Sequence, residues 1–134
     1  MLRLEIVTPE QKTYSDTVDS VVIPCIEGEI GVLPQHVPLM TQLVPGELRV
    51  LKDGEELRLA VGEGFVEISA DKVAVLTDMA VKESDIDETA AEDAVRRAEE
   101  AMLDNKMGDE EYATVKASLQ KSLAQIRVKR RRPV

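Results

Sequence analysis

Apolar and polar residues alternate along roughly the first 80 positions, and Gly, Pro and Asp cut the alternation at short intervals. A period of two sends successive side chains to opposite faces of an extended chain, so this stretch predicts short strands with one buried face. Leu48-Arg49-Val50-Leu51-Lys52 and Glu55-Glu56-Leu57-Arg58-Leu59 flank Asp53-Gly54, a pair that tolerates the positive φ angles of a type I′ turn; together they predict a hairpin. Phe65 to Ser69 and Val73 to Thr77, separated by Ala70-Asp71-Lys72, predict a second. Strands at this spacing point to a sandwich or flattened barrel.

The period changes from Asp85. Ala91, Ala94, Val95, Ala98, Ala101 and Met102 fall at helical spacing, with Ser84 or Asp85 expected as the cap. Asn105-Lys106-Met107-Gly108 breaks this helix, and Tyr112, Val115, Leu119, Leu123 and Ile126 form the stripe of a second, with Asp109 as its expected cap and Pro133 beyond its end. Two amphipathic helices with so short a break predict an antiparallel hairpin. The fold class is therefore α+β, an N-terminal β-sandwich over 1–83 followed by a helical hairpin over 84–134. Alanines let neighbours come close but bury little area each, so the hairpin is expected to dock weakly.

Charge separates the two helices. Residues 112–134 carry seven basic and no acidic groups, while residues 87–111 carry three basic and ten acidic ones. Lys121, Arg127, Lys129, Arg130, Arg131 and Arg132 concentrate at the end of the second helix, where cations complement the helix macrodipole. Two readings of this run stand side by side: a solvated tail, or an arm that docks on an acidic protein surface. Nucleic acid is a poor partner for a chain of net charge −9 with 2% aromatic residues.

Candidate chemistry is sparse in the 134 residues. The one cysteine, Cys25, lies in the apolar run Val21 to Ile26, where a thiol behaves as a small hydrophobe, and the one histidine, His36, lacks a ligand partner at zinc spacing. No Gly-x-x-x-x-Gly-Lys-Ser/Thr loop occurs, and Gly62 and Gly64 read as a turn or bulge between strands. These features do not describe an enzyme, and no metal or cofactor is expected. The lone cysteine and an N-terminus without an apolar signal core point to a cytosolic setting, and no run of 18 apolar residues spans a membrane.

Gly28-Glu29-Ile30-Gly31-Val32-Leu33-Pro34-Gln35-His36-Val37-Pro38-Leu39 remains, with two glycines and two prolines. Gly28 and Gly31 are expected to permit turns, Pro34 and Pro38 to stiffen the exit, and His36 to hydrogen-bond within the bend. This segment resembles the Gly-x-aliphatic-Gly-x-x-Pro-x-His-x-Pro stretch of the epsilon subunits of F-type rotary ATP synthases. Gly64-Phe65-Val66-Glu67-Ile68, Asp85-Ile86-Asp87-Glu88 with Arg97-Ala98-Glu99-Glu100, and Ala124-Gln125-Ile126-Arg127-Val128 extend the resemblance over essentially the whole chain.

The resemblance implies a non-catalytic central-stalk subunit at the cytoplasmic face of the cell membrane, peripheral to it through the complex. In that family the sandwich binds the gamma subunit and rests on the ring of c subunits, passing rotation to the catalytic head. The helical hairpin either folds onto the sandwich or extends along gamma into the head and obstructs ATP hydrolysis. Glu29, at the tip of a docking edge that includes Gly28, Ile30 and Gly31, is expected to face the polar loops of the c subunits. The basic second helix is expected to meet gamma and an acidic segment of a beta subunit, with alpha nearby. Some members bind ATP through an Ile/Leu-Asp-x-x-Arg-Ala motif; here Ala90 stands in the arginine's place and Val81 in that of an upstream acid. Asp87 and Arg97 remain as nucleotide contacts, and loss of the bidentate arginine implies weak or absent ATP binding. The competing function is a stand-alone ATP-sensing or interaction module.

Overall fold

The structure, a computed structural model, describes residues 1–10, 12–104 and 106–130. Among the described residues ten strands precede two helices: β1 (Leu2–Val7), β2 (Lys12–Val18), β3 (Ser20–Cys25), β4 (Gly28–Val32), β5 (Leu39–Leu43), β6 (Gly46–Lys52), β7 (Glu55–Val61), β8 (Gly64–Ile68), β9 (Lys72–Thr77), β10 (Ala80–Lys82), then α1 (Glu88–Met102) and α2 (Asp109–Arg130). A 3₁₀ turn, Glu83–Asp85, joins the two halves. The expected α+β architecture, a sandwich followed by a helical hairpin, is what forms.

The strands run in the order β10-β7-β6-β3-β5-β8-β9-β1-β2, with β4 added to β3. β3 and β5 meet through the single pair Cys25 and Leu43, so the sheet creases there and folds into two layers. Alternation then does what a period of two requires. Leu2, Leu4 and Ile6, Val21 and Ile23, Leu48 and Val50, Val66 and Ile68, and Val73 and Val75 all point into one apolar core. Both expected hairpins are present, β6 with β7 and β8 with β9. In the first, Asp53 and Gly54 take φ of 52° and 80°, as a type I′ turn demands.

The alternation fails at Leu59-Ala60-Val61, which are all buried. Leu59 and Val61 enter the sandwich core, while Ala60 faces out and is covered by Val128 of α2 and by Ile86. α2 lies across β6 and β7, and α1 packs against α2 rather than on the sheet. The alanine stripe of α1 faces the hairpin as expected, with Ala91 and Ala98 buried. That of α2 is corrected: Tyr112 and Leu123 are exposed, and Ser122, Ala124 and Val128 are the buried positions. The cause is that α2 touches two surfaces, the sheet and α1, so no single 3.6-period stripe describes it. Its apolar seat is small. One fully buried valine is worth about 1.5–3 kcal/mol against exposure, and the seat consists of Val128, Ala60 and Ile86 with half-buried Met79 and Val81 beside them.

Candidate docking edge and helical arm

The dozen residues from Gly28 to Leu39 are not one loop. Gly28 to Val32 form β4, paired antiparallel with β3 from Cys25 opposite Gly28 to Val21 opposite Val32. The tip of this hairpin is Ile26-Glu27, so Glu29 lies within the edge strand, one residue beyond Gly28, and not at the tip expected for it. Gly28 has φ of 119°, which a side chain would oppose, whereas Gly31 is an ordinary strand residue opposite Val22 and permits no turn. The bend itself is made by Pro34 followed by Gln35 at φ 68°, the order that fits a type II turn, and the Gln35 amide donates to the Ala70 carbonyl. His36 Nδ1 donates to the Val37 carbonyl at 2.6 Å, the local bond expected of it, and Pro38 leads into β5.

Arg49 organises the charge behind this edge. Its Nη1 donates to Glu29 Oε2 at 3.0 Å and to Glu47 Oε1 at 3.2 Å. Burial works to lower the Arg49 pKa, and the bonds to Glu47 and Glu29 outweigh it, so the guanidinium is held charged. Glu47 is only 8% exposed, a buried acid that the sequence reading misses. Its signal is the spacing Glu47-x-Arg49, two residues on one face of a strand, which supplies the partner a buried carboxylate needs. Cys25, 3% exposed, sits beneath with its thiol pushed up first by burial and then by Glu27, which keeps it protonated. Glu29, Glu47 and Arg49 line a cleft of about 410 Å³ whose far wall includes Arg127 of α2.

A second surface lies on the other layer from α2. Gln42, Phe65, Leu76 and Val7 stand in one row across β5, β8, β9 and β1. Phe65 is 63% and Leu76 51% exposed, and Leu33, Val37 and Met40 continue the open apolar surface toward the Pro34 bend. A depression of about 300 Å³ beside Val7 and Leu76 is floored by Gly64. Contiguous exposed apolar area of this kind marks a surface that another molecule covers.

The arm residues divide by partner. Lys121 Nζ meets Asp78 Oδ2 at 3.3 Å, and Lys129 Nζ donates to the Glu83 carbonyl at 3.2 Å. Arg130 donates to Glu88 and Glu92 of α1. Arg131 and Arg132 lie outside the described residues. The nucleotide candidates are not brought together. Asp87 is the N-cap of α1, its Oδ1 accepting from the Ala90 amide at 3.0 Å, and the expected cap of Ser84 or Asp85 is corrected because the 3₁₀ turn takes up those residues. Asp109 is likewise the first helical residue of α2 rather than its cap. Arg97 is exposed ten residues further along α1, about 15 Å up a helix that rises 1.5 Å per residue. Asp87→Ala should cost the helix about 1 kcal/mol and Asp87→Asn only a few tenths. Exchange rates of the Ala90 and Ala91 amides check this; equal rates in the two variants would contradict the capping role.

The family model described as the ATP synthase delta/epsilon chain beta-sandwich domain matches residues 1–83, and that of its long alpha-helix domain matches residues 84–130. The chain belongs to the ATP synthase delta/epsilon family. It is 44% identical over 126 residues to the ATP synthase epsilon chain of Alkalilimnicola ehrlichii, covering 93% of this chain and 89% of that one. Identity to the epsilon chain of Dehalococcoides mccartyi is 42% over 131 residues, covering 98% and 94%. Among solved structures, a chain of the Euglena gracilis mitochondrial ATP synthase superposes with a TM-score of 0.77 at 22% identity over 92% of this chain and 78% of that one. A chain of the Tetrahymena thermophila mitochondrial ATP synthase central stalk and c-ring gives 0.62 at 12% identity over 96% of each. At those identities the two structures speak for the fold that this epsilon-type chain shares. No helix among its described residues is long and apolar enough to cross a membrane.

Proposed function

We propose that this chain is a non-catalytic rotor subunit of an F-type ATP synthase, coupling a gamma subunit to a ring of c subunits during proton-driven ATP synthesis and restraining ATP hydrolysis through its helical arm. Residues 1–83 are the docking unit and 84–134 the regulatory one, and the whole sits at the membrane's cytoplasmic face through its partners. The observation that carries the reading is the pair of open surfaces on the sandwich: the β4 edge with Glu29, and the apolar row of Phe65, Leu76 and Val7 on the layer opposite α2. A polar edge suits the polar loops of c subunits, and an apolar row suits a permanent protein neighbour, here gamma. A cysteine placed at Glu29 should cross-link to a c-subunit loop in the assembled enzyme, and one at Phe65 to gamma. Cross-linking of neither, in an enzyme that contains the chain, would sink the docking assignment.

The arm reads as a brake rather than an ATP sensor, since Asp87 is engaged as a cap and Ala90 offers no charged fork for a phosphate. Titration calorimetry of the chain with ATP should show no heat of micromolar binding. A micromolar site would return the ATP-sensing reading to first place.

A further inference from the structure

The outer face of the layer opposite α2 changes character along its strands. Two residues beyond the apolar row of Phe65, Leu76 and Val7 stand Glu67, Ala74, Glu5 and Ser15, and two residues further stand Lys72 and Arg3. Lys12, opposite Val7, reaches back to the middle row. Glu5 draws the cations together. Its Oε1 takes Arg3 Nε at 3.4 Å and Lys12 Nζ at 3.6 Å, and its Oε2 takes Lys72 Nζ at 3.5 Å. Ser15 Oγ accepts from Arg3 Nη2 at 2.7 Å and steadies the guanidinium. Desolvation works to raise the Glu5 pKa, and the attraction of Lys12 and Lys72 with the bond from Arg3 outweighs it, so the carboxyl stays ionised. The Glu5 side chain is 18% exposed, whereas those of Arg3, Lys12 and Lys72 are 51%, 52% and 48% exposed. One covered carboxylate thus assembles three open cations, on a chain whose net charge is −9. Glu67 stands two strands from Glu5, about 10 Å away, on the far side of Ala74.

We propose that this face is a bipartite docking surface for a protein that presents apolar side chains and a carboxylate: the row of Phe65, Leu76 and Val7 takes the first, and the triad of Arg3, Lys12 and Lys72, assembled on Glu5, takes the second. Four residues of strand separate the apolar row from Lys72 and Arg3, which sets the partner's two features about 13 Å apart. Three cations around one acid repel one another, and a second carboxylate relieves that repulsion, so the triad attracts acidic groups and rejects basic ones. An apolar row alone fixes no direction along the strands, whereas a charged group at one end orients the partner and speeds its encounter. Glu5 is the positioning residue of this arrangement. The depression of about 300 Å³ beside Val7 and Leu76 favours a protein over an anionic membrane, because a layer of headgroups has no apolar side chain to fill it. The proposal rests on the reading of this face as the one turned to gamma, and adds the chemistry that gamma has to offer it.

Carbodiimide coupling in the assembled enzyme tests this with the unaltered chain. The reagent activates a carboxylate, and a lysine amine in contact with it forms an amide while the reagent leaves as its urea. Lys12 and Lys72 should give amide-linked peptides with carboxylates of gamma, identified by mass spectrometry after digestion. Coupling of both lysines to Glu5 of their own chain alone would overturn the proposal. Association of the full-length chain with the gamma-containing catalytic portion, stripped of its own copy, gives a second readout. Arg3→Glu with Lys72→Glu should slow association about ten-fold or more at low salt and flatten its salt dependence, and Arg3→Gln with Lys72→Gln should do so to a smaller degree. Arg96→Glu with Lys116→Glu, at exposed positions on the two helices, makes the same change of net charge and should leave the rate unchanged. Equal slowing by the two reversed pairs would mean that overall charge steers the encounter, and would overturn the triad's role. Binding of the chain to phosphatidylglycerol vesicles, abolished by Arg3→Glu with Lys72→Glu, would assign the triad to a membrane and overturn it as well. A cysteine at Phe65 that cross-links to gamma, without lysine coupling to gamma or selective slowing, would retire the carboxylate and keep gamma on this face; absence of that cross-link too would retire both.

Discussion

Gly64→Ala is expected to remove about 3 kcal/mol of stability, the upper end of the usual cost of overpacking and a large share of the 5–15 kcal/mol typical of a domain. A Cβ at Gly64 would stand 1.8 Å from the Leu76 carbonyl oxygen and 2.9 Å from the Thr77 Cα, both backbone atoms of the neighbouring strand β9. Backbone cannot rotate aside as a side chain can, so β8 has to part from β9 where Gly64 pairs with Thr77. Gly31→Ala is the matched control. It too lies in a strand, with nothing within 4 Å of the added carbon, and should change stability by no more than about 0.5 kcal/mol. Urea unfolding followed by circular dichroism distinguishes them, and equal midpoints would refute the close-approach account. Gly64 also precedes Phe65 and floors the depression beside Leu76, so a surviving variant should dock its apolar-face partner poorly as well.

The strands are legible because one physical rule, burial of alternate side chains, writes them into the sequence. Asp53-Gly54 states its own turn, and α1 announces itself through its alanines. What escapes is decided by contacts between distant segments. Gly28 to Val32 looks like loop, with two glycines in five residues, and becomes a strand because Val21 to Cys25 offers it a ladder. Glu29 consequently moves from an imagined tip to an edge, where Arg49, twenty residues away, can hold it. The turn residue with positive φ is Gln35 and not a glycine, since the tether to Ala70 from another hairpin compensates the strain.

The burial of α2 defeats the sequence pattern for a related reason. A helix against one surface shows one stripe, but α2 is wedged between the sheet and α1, so its small residues Ser122 and Ala124 are buried where Leu123 is not. A signal for this contact exists on the other side. Leu59-Ala60-Val61 breaks the alternation of β7, and a strand buried on both faces is one that something covers. The ion pairs of Lys121 and Arg130 have no such sign. Net charge separates the acidic first helix from the basic second, yet only the antiparallel return of the chain sets Arg130 beside Glu88 and Glu92.

Ending the chain after Glu83 is expected to leave assembly of the complex intact and to raise its ATP hydrolysis about five-fold or more, the lower bound of a typical coupling between sites. The two surfaces proposed for docking, β4 with Glu29 and the row of Phe65, Leu76 and Val7, belong wholly to residues 1–83. The apolar surface of the sandwich that removing the hairpin uncovers centres on Ala60, with half-buried Met79 and Val81. The sandwich core, from Leu2 to Val75, contains no residue of α1 or α2, so the shortened chain keeps what folds it. The obstruction, by contrast, requires the arm to reach the catalytic head, and 47 of the 51 deleted residues, Ser84 to Arg130, are matched by the long-helix family model. Hydrolysis is measured on purified enzyme containing either chain, with the amount of incorporated subunit determined in each. Equal rates at equal incorporation would show that this arm is no brake, and failure of the shortened chain to incorporate would show that docking does not lie in residues 1–83 alone. The salt response separates the brake from a passive tail: the rate of the full-length enzyme should depend on ionic strength more steeply than that of the shortened one, because the cationic end of α2 makes its contacts through exposed charges that salt screens.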